Sequence, residues 1–118
     1  MNKSIETSVV IPAFNEASSL VELVDRCARS MNKHFKNNFE ILIIDDGSTD
    51  ETQLVLSRLV KKYSFLSGVI LRTNFGKSTA LMSGFSRAKG KFIVTLDADL
   101  QDHPEEIPMF ISKLKKGY

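Results

Sequence analysis

The sequence predicts a doubly wound α/β fold on a mainly parallel sheet, and three observations predict it. Four short apolar, β-rich runs alternate with four stretches of helical period, in the order β-α-β-α-β-α-β-α. The runs are apolar on nearly every residue, the pattern of strands buried on both faces by helices, joined by right-handed crossovers. Each unusual polar cluster follows one of these runs directly, and in such sheets ligands bind outside the carboxyl ends of the strands.

Each element has its own signal. The first strand is expected over residues 8–11, closed by Pro12, with Asn15 placed to cap a helix whose apolar face is Leu20, Leu23, Val24, Cys27 and Met31. The second, over 40–44, ends at Asp45-Asp46-Gly47. Ser48 and Glu51 then have the spacing of a capping box, opening a helix that buries Val55, Leu56, Leu59, Val60 and Tyr63. The third, over 68–71, leads through Asn74-Phe75-Gly76 into a helix packing through Ala80, Leu81, Gly84, Phe85 and Ala88, where small residues permit close approach. The fourth, over 92–96, runs into an acidic loop. A last helix starts at Pro104 or Glu105 with Ile107, Phe110, Ile111 and Leu114 facing inward, and Pro108 fits only in its first turn.

Bulk properties exclude several classes. With 118 residues, 42% of them hydrophobic and 25% charged, the chain is one soluble domain at most. A net charge of +2 does not argue for nucleic acid, and Lys113, Lys115 and Lys116 read as a solvated helix end. The single Cys27 excludes an internal disulfide and reads as a small buried apolar side chain. His34 and His103 lack a partner at metal-ligand spacing. Neither a signal peptide nor an apolar run of the roughly 20 residues needed to span a membrane is visible, so a cytoplasmic location is expected.

The chemistry collects in the loops after the strands. Asp97 and Asp99, two residues apart where a strand opens into a loop, can converge on one hard cation such as Mg²⁺ or Mn²⁺, which takes one or two carboxylates and completes its shell with substrate phosphates. Gly76-Lys77 at a helix start offers backbone N–H groups, the helix dipole and an ammonium to a phosphate. Its spacing is not that of a Walker loop. Asp45-Asp46-Gly47 is either a turn before a helix or part of a site, and two adjacent acids cannot both cap.

Taken together, Val9-Val10-Ile11-Pro12-Ala13-Phe14-Asn15-Glu16, Ile44-Asp45-Asp46-Gly47-Ser48-Thr49-Asp50, Asn74-Phe75-Gly76-Lys77 and Leu96-Asp97-Ala98-Asp99-Leu100-Gln101-Asp102 resemble the family-two glycosyltransferases. The segment from Asp99 to Glu105 most resembles the branch that transfers a sugar to polyprenyl phosphate, such as dolichyl-phosphate mannose synthases and bactoprenol glucosyltransferases; His103 stands where that branch usually has proline. The resemblance implies the Rossmann-like nucleotide-binding half of a GT-A fold and a UDP- or GDP-sugar donor. The base would lie over Pro12, Ala13 and Phe14, with Glu16 and Asp46 on the nucleoside and Asp45 assisting. Gly76, Lys77, Asp97 and Ala98 would complete the nucleotide-sugar site, and Asp97, Asp99 and, in this branch, Gln101 would hold the cation, supplemented by Lys77 or Arg72. Such relatives invert the anomeric centre by direct displacement, and an anionic phosphate acceptor requires no strong general base. A saccharide hydroxyl acceptor, the alternative, requires an Asp or Glu base beyond residue 118.

The resemblance also implies that residues 1–118 are the donor-binding portion, with the acceptor half absent, full activity not expected, and the parent enzyme at the cytoplasmic face of a membrane. An open sheet edge would invite self-association. Two other classes use acidic pairs after parallel strands. A phosphatase with an Asp-x-Asp nucleophile, or a receiver-like signalling module, carries its acids after the first strand, where this chain has Asn15-Glu16. A shortened binding module without catalysis stays open.

Overall fold

The computed structural model describes residues 4–117, so Tyr118 lies outside it. Strands β1 (Thr7–Ala13), β2 (Phe39–Asp45), β3 (Leu66–Ile70) and β4 (Phe92–Thr95) form one parallel sheet in the order β3-β2-β1-β4. Helices α1 (Ala17–Phe35), α2 (Thr52–Lys62) and α3 (Lys77–Arg87) are the crossovers, and a 3₁₀ turn (Pro104–Glu106) leads into α4 (Ile107–Lys115). The first two crossovers step outward from β1, whereas the third returns to the far side of β1. This reversal places the carboxyl ends of β1 and β4 side by side.

Alternation along the strands builds a core on each face of the sheet. Val9 and Ile11 of β1 and Ile41 and Ile43 of β2 pack with Leu20, Leu23, Val24 and Cys27 of α1 and Leu56 and Leu59 of α2. Their neighbours Val10, Leu42 and Ile44 face the other way, onto Ala80 of α3. That two-sided burial is why the strands read as unbroken apolar runs, and the α/β class is the one expected. Gly84 sets how closely α3 lies on the sheet: a Cβ there would stand 2.4 Å from a Val10 methyl.

The structure corrects several boundaries and faces. Pro12 does not close β1 but stays inside it, in register with Ile44. β3 begins at Leu66, buried and paired with Ile41, and ends at Ile70 rather than Leu71. β4 ends at Thr95. Val60, Phe85, Phe110 and Leu114, expected inside, are 36%, 40%, 49% and 42% exposed. α2 packs beside the edge strand β3, and Phe110 of α4 borders a groove along the edge strand β4, so each of these helices buries a narrow stripe, Leu56 and Leu59 or Ile107 and Ile111. α3 meets the sheet through Ala80 and Gly84, which leaves Phe85 on its flank. No helix among the described residues is long and apolar enough to cross a membrane.

Candidate functional site

The site begins where β1 and β4 part. Their register ends at Val10 and Thr95, and the Leu96 N–H makes one more bond, 3.1 Å to the Val10 carbonyl. The next β1 residue directed at β4 is Pro12, which has no N–H to continue the ladder. The strands separate there, and a cleft of about 380 Å³ opens between their ends. Pro12, Ala13, Phe14 and Glu16 line it from the first loop and Asp46 from the second. Asn74, Gly76 and Lys77 enter from the third loop, and Asp97, Ala98 and Asp99 from the fourth.

Of the residues expected in the site, two are not in this cleft. Asp45, the last residue of β2, is fully buried, and its carboxylate accepts the Ser48 N–H at 3.0 Å, the Ser48 hydroxyl at 2.5 Å and the Gln53 amide at 3.0 Å. It braces the second loop from beneath. Gln101 lines a separate groove with Asp102, His103 and Phe110, on the other side of the acidic loop. Adjacent acids thus have different work, because strand alternation turns Asp45 and Asp46 to opposite sides.

Asp46 reaches the cleft and also organises it. Its two carboxylate oxygens accept the N–H groups of Phe75 and Gly76, each at 2.9 Å. Those amides are therefore committed, and Gly76 cannot cradle a phosphate through its N–H as the sequence suggested. What Gly76 supplies is a left-handed turn, φ 103°, into α3, with open space where a side chain would stand. Gly47, at φ 75°, is constrained in both respects, since a Cβ there would lie 2.5 Å from the Thr73 carbonyl carbon.

Two expected caps are replaced by bonds between loops. Asn15 does not cap α1, whose N-cap is Glu16 without a side-chain bond. At φ 53° its side-chain oxygen instead accepts the N–H groups of Thr49 and Asp50, at 2.9 and 3.2 Å, while its own N–H donates to the Ser48 hydroxyl oxygen at 2.8 Å. Ser48 is thus drawn into Asp45 and Asn15 and forms no capping box with Glu51. Asp50 accepts the Thr52 hydroxyl at 2.5 Å and the Thr52 N–H at 2.8 Å, and these two bonds, the hydroxyl's first, hold the Asp50 carboxyl below its ordinary value.

Sequence reasoning missed Ser19 and Asn74. Ser19, in the first turn of α1, donates its hydroxyl at 2.6 Å to the carbonyl of Ala98, the residue between the two acids. A lone serine in a helical pattern gives no hint of this. Asn74 lies within a motif already singled out, but only the fold shows that it lines the cleft. The acidic loop is held further by the Asp97 N–H donating to Asp102 at 2.8 Å and the Gln101 N–H donating to Asp99 at 3.1 Å.

The electrostatics of the cleft are acidic. Glu16, Asp46, Asp97 and Asp99 line it against one lysine, Lys77. The Lys77 ammonium lies 2.5 Å from an Asp97 carboxylate oxygen, and this hydrogen bond raises its pKa, with the charges of Asp97, Asp102 and Asp99 acting in the same direction. Among the described residues no three His, Cys, Asp or Glu side chains gather as a ready-made metal site. Carboxylates such as those of Asp97 and Asp99 are the donor type a hard cation takes when phosphate oxygens complete its shell.

Comparison with known proteins extends this geometry. The family model for glycosyl transferase family 2 matches residues 8–118. The undecaprenyl-phosphate 4-deoxy-4-formamido-L-arabinose transferase of Shewanella sediminis is 43% identical over 122 residues, covering 99% of this chain and 36% of the relative. The protein of the same name from Enterobacter sp. is 46% identical over 114 residues, covering 96% and 35%. The chain therefore spans about a third of the length of these curated relatives. Among solved structures, S. aureus TarS 1-349 in complex with UDP-GlcNAc matches with a TM-score of 0.76 and 25% identity, over 95% of this chain and 32% of that one. The mannosyltransferase PcManGT from Pyrobaculum calidifontis, in complex with GDP-Man and Mn²⁺, matches with a TM-score of 0.71 and 28% identity, over 80% and 27%.

Proposed function

The chain belongs to glycosyl transferase family 2, and on that premise we propose that its cleft is the donor site of an inverting sugar transfer, taking a nucleotide-diphosphate sugar together with a divalent cation. The observation that carries this reading is the cleft itself. It is lined by an apolar, partly aromatic segment, Pro12, Ala13 and Phe14, and by an acidic loop, Asp97 to Asp99, with one lysine, Lys77, resting on Asp97. A flat base suits the first. The second repels a diphosphate unless a cation offsets the charge, which a metal held by Asp97 and Asp99 would do while stabilising the leaving nucleoside diphosphate.

The roles proposed for individual residues are those compatible with their places in the cleft. Glu16 and Asp46 face the nucleoside, Asp46 with the lone pairs left over by Phe75 and Gly76. Gln101 joins the cation only if its loop turns it out of the neighbouring groove, so the proposed ligands within the cleft are Asp97 and Asp99. Residues 1–118 act as the donor-binding part of the glycosyltransferase domain. The similarity to undecaprenyl-phosphate sugar transferases supports polyprenyl phosphate as acceptor for the whole enzyme, and the location that goes with this proposal is the cytoplasmic face of a membrane. The solved neighbours carry a UDP-sugar in one case and GDP-Man with Mn²⁺ in another, so both nucleotides and both Mg²⁺ and Mn²⁺ belong in the test. Exposed Ile93 on edge strand β4 and exposed Met109 and Phe110 on α4 favour self-association at high concentration.

Calorimetric titration of UDP, GDP and their sugars in the presence of Mn²⁺ or Mg²⁺ tests the proposal. One nucleotide series is expected to bind, and Asp99→Ala to weaken it at least about tenfold. Absence of binding by the wild type, or equal binding by the variant, would overturn it.

A further inference from the structure

Lys77 is the first residue of α3, and its solvent-exposed ammonium does not fold back on its own helix. It crosses to the acidic loop and rests 2.5 Å from Asp97 Oδ1, on a carboxylate that the donor-site reading gives to the metal. Lys77 is the one cation among the residues lining the cleft. The other nearby acids are already engaged with the loop's own backbone, Asp99 with the Gln101 N–H and Asp102 with the Asp97 N–H. Both partners of the ion pair remain open to solvent, with side chains 60% and 46% exposed, so nothing in the packing locks the lysine in place.

We propose that Lys77 acts as an internal counter-ion at the cation position of the cleft, so that binding of a nucleotide diphosphate strengthens binding of the metal. The inference rests on the donor-site reading and adds a coupling between its ligands. A divalent cation entering alone must share Asp97 with an ammonium or displace it, and two cations on one carboxylate repel. A diphosphate in the cleft gives the ammonium new anionic partners, releases Asp97, and contributes oxygens to the metal. Each ligand then improves the affinity for the other by the same factor, as linkage requires. No covalent bond is made or broken; the ammonium only exchanges one anionic partner for another.

The test is a titration of free Mn²⁺, followed by its electron paramagnetic resonance signal, into the wild-type chain and into Lys77→Met, each alone and with UDP or GDP. Loss of an exposed charge of this kind changes an affinity by about fivefold at most. Lys77→Met is therefore expected to bind Mn²⁺ without nucleotide up to about fivefold more tightly than wild type, and the improvement that nucleotide brings to Mn²⁺ affinity is expected to shrink. Lys77→Gln should behave like Lys77→Met, and Lys77→Arg, which keeps the charge, like wild type; far-ultraviolet circular dichroism checks that each is folded. If nucleotide still binds, but the neutral variants gain no nucleotide-free Mn²⁺ affinity, the counter-ion role is overturned and the donor site stands. If wild type binds neither nucleotide nor Mn²⁺, the donor-site reading fails and takes this inference with it.

Discussion

Ser19 and Ala98 are 79 residues apart in the chain, and a single 2.6 Å hydrogen bond joins the start of α1 to the peptide between the two acids of the cleft. A buried hydroxyl-to-carbonyl bond contributes about 1 kcal/mol, and its larger effect is to fix the direction in which Asp97 and Asp99 project. Ser19→Ala should keep the fold, lower stability by about 1 kcal/mol, and weaken nucleotide binding in Mn²⁺ severalfold by calorimetry. Unchanged affinity would mean that the acidic loop holds its shape without α1. At this scale the sequence identified which loops meet at the cleft but not how adjacent side chains divide between cleft and scaffold. Asp45 and Asp46 look alike as letters. Only the strand's alternation, and the presence of Ser48 and Gln53 beneath it, turns one into a brace and leaves the other in the cleft. Asn15 was legible as a short polar residue near a helix start, yet its partners Thr49 and Asp50 belong to another loop and could not be found locally.

Among the elements, α1 was the most legible, because its period brings Leu20, Leu23, Val24, Cys27 and Met31 to one face and all five are fully buried. Burial pushes the Cys27 thiol from 9.0 up to about 12. The fold thus favours the neutral thiol, whereas an unfolded chain releases its proton near 9.0. Stability from this site is complete below that value and is lost as pH rises toward about 12. Near pH 10.5 the loss amounts to about 2 kcal/mol, at 1.36 kcal/mol per unit. Urea unfolding of wild type between pH 8 and 10.5 should therefore show a steeper fall than Cys27→Ala, whose stability starts lower because of the small cavity. Parallel pH dependences would show that the thiol is not held neutral by the core. The outer helices were less legible. Periodicity marks an apolar stripe, but how much of it is covered depends on sheet width, and beside the edge strands β3 and β4 the covered part narrows to two residues per helix.

At the scale of the whole molecule, the order of the elements decided the reading. Four loops that are remote in sequence meet because the third crossover reverses direction, and Pro12 ends the pairing of β1 with β4 at the point where the cleft opens. The alternation of strands and helices made the sheet legible in advance. The strand order follows from handedness and packing. The division of the acidic loop into a cleft side and a groove side, with Gln101 on the latter, arises from a backbone turn at Leu100, φ 66°, that no residue pattern announces.

The central claim is that a metal and a nucleotide diphosphate meet at the junction of β1 and β4. Paramagnetic broadening by Mn²⁺ in the ¹⁵N-labelled chain, with saturating UDP or GDP and against a Mg²⁺ reference, tests it most directly. The amides of Ala13, Phe14, Lys77, Ala98 and Asp99 should disappear first, while those at the opposite end of the sheet, such as Phe35 and Asn38, persist. Replacing both Asp97 and Asp99 by Asn should abolish the effect. Broadening centred away from this cleft, or surviving that double substitution, would contradict the account.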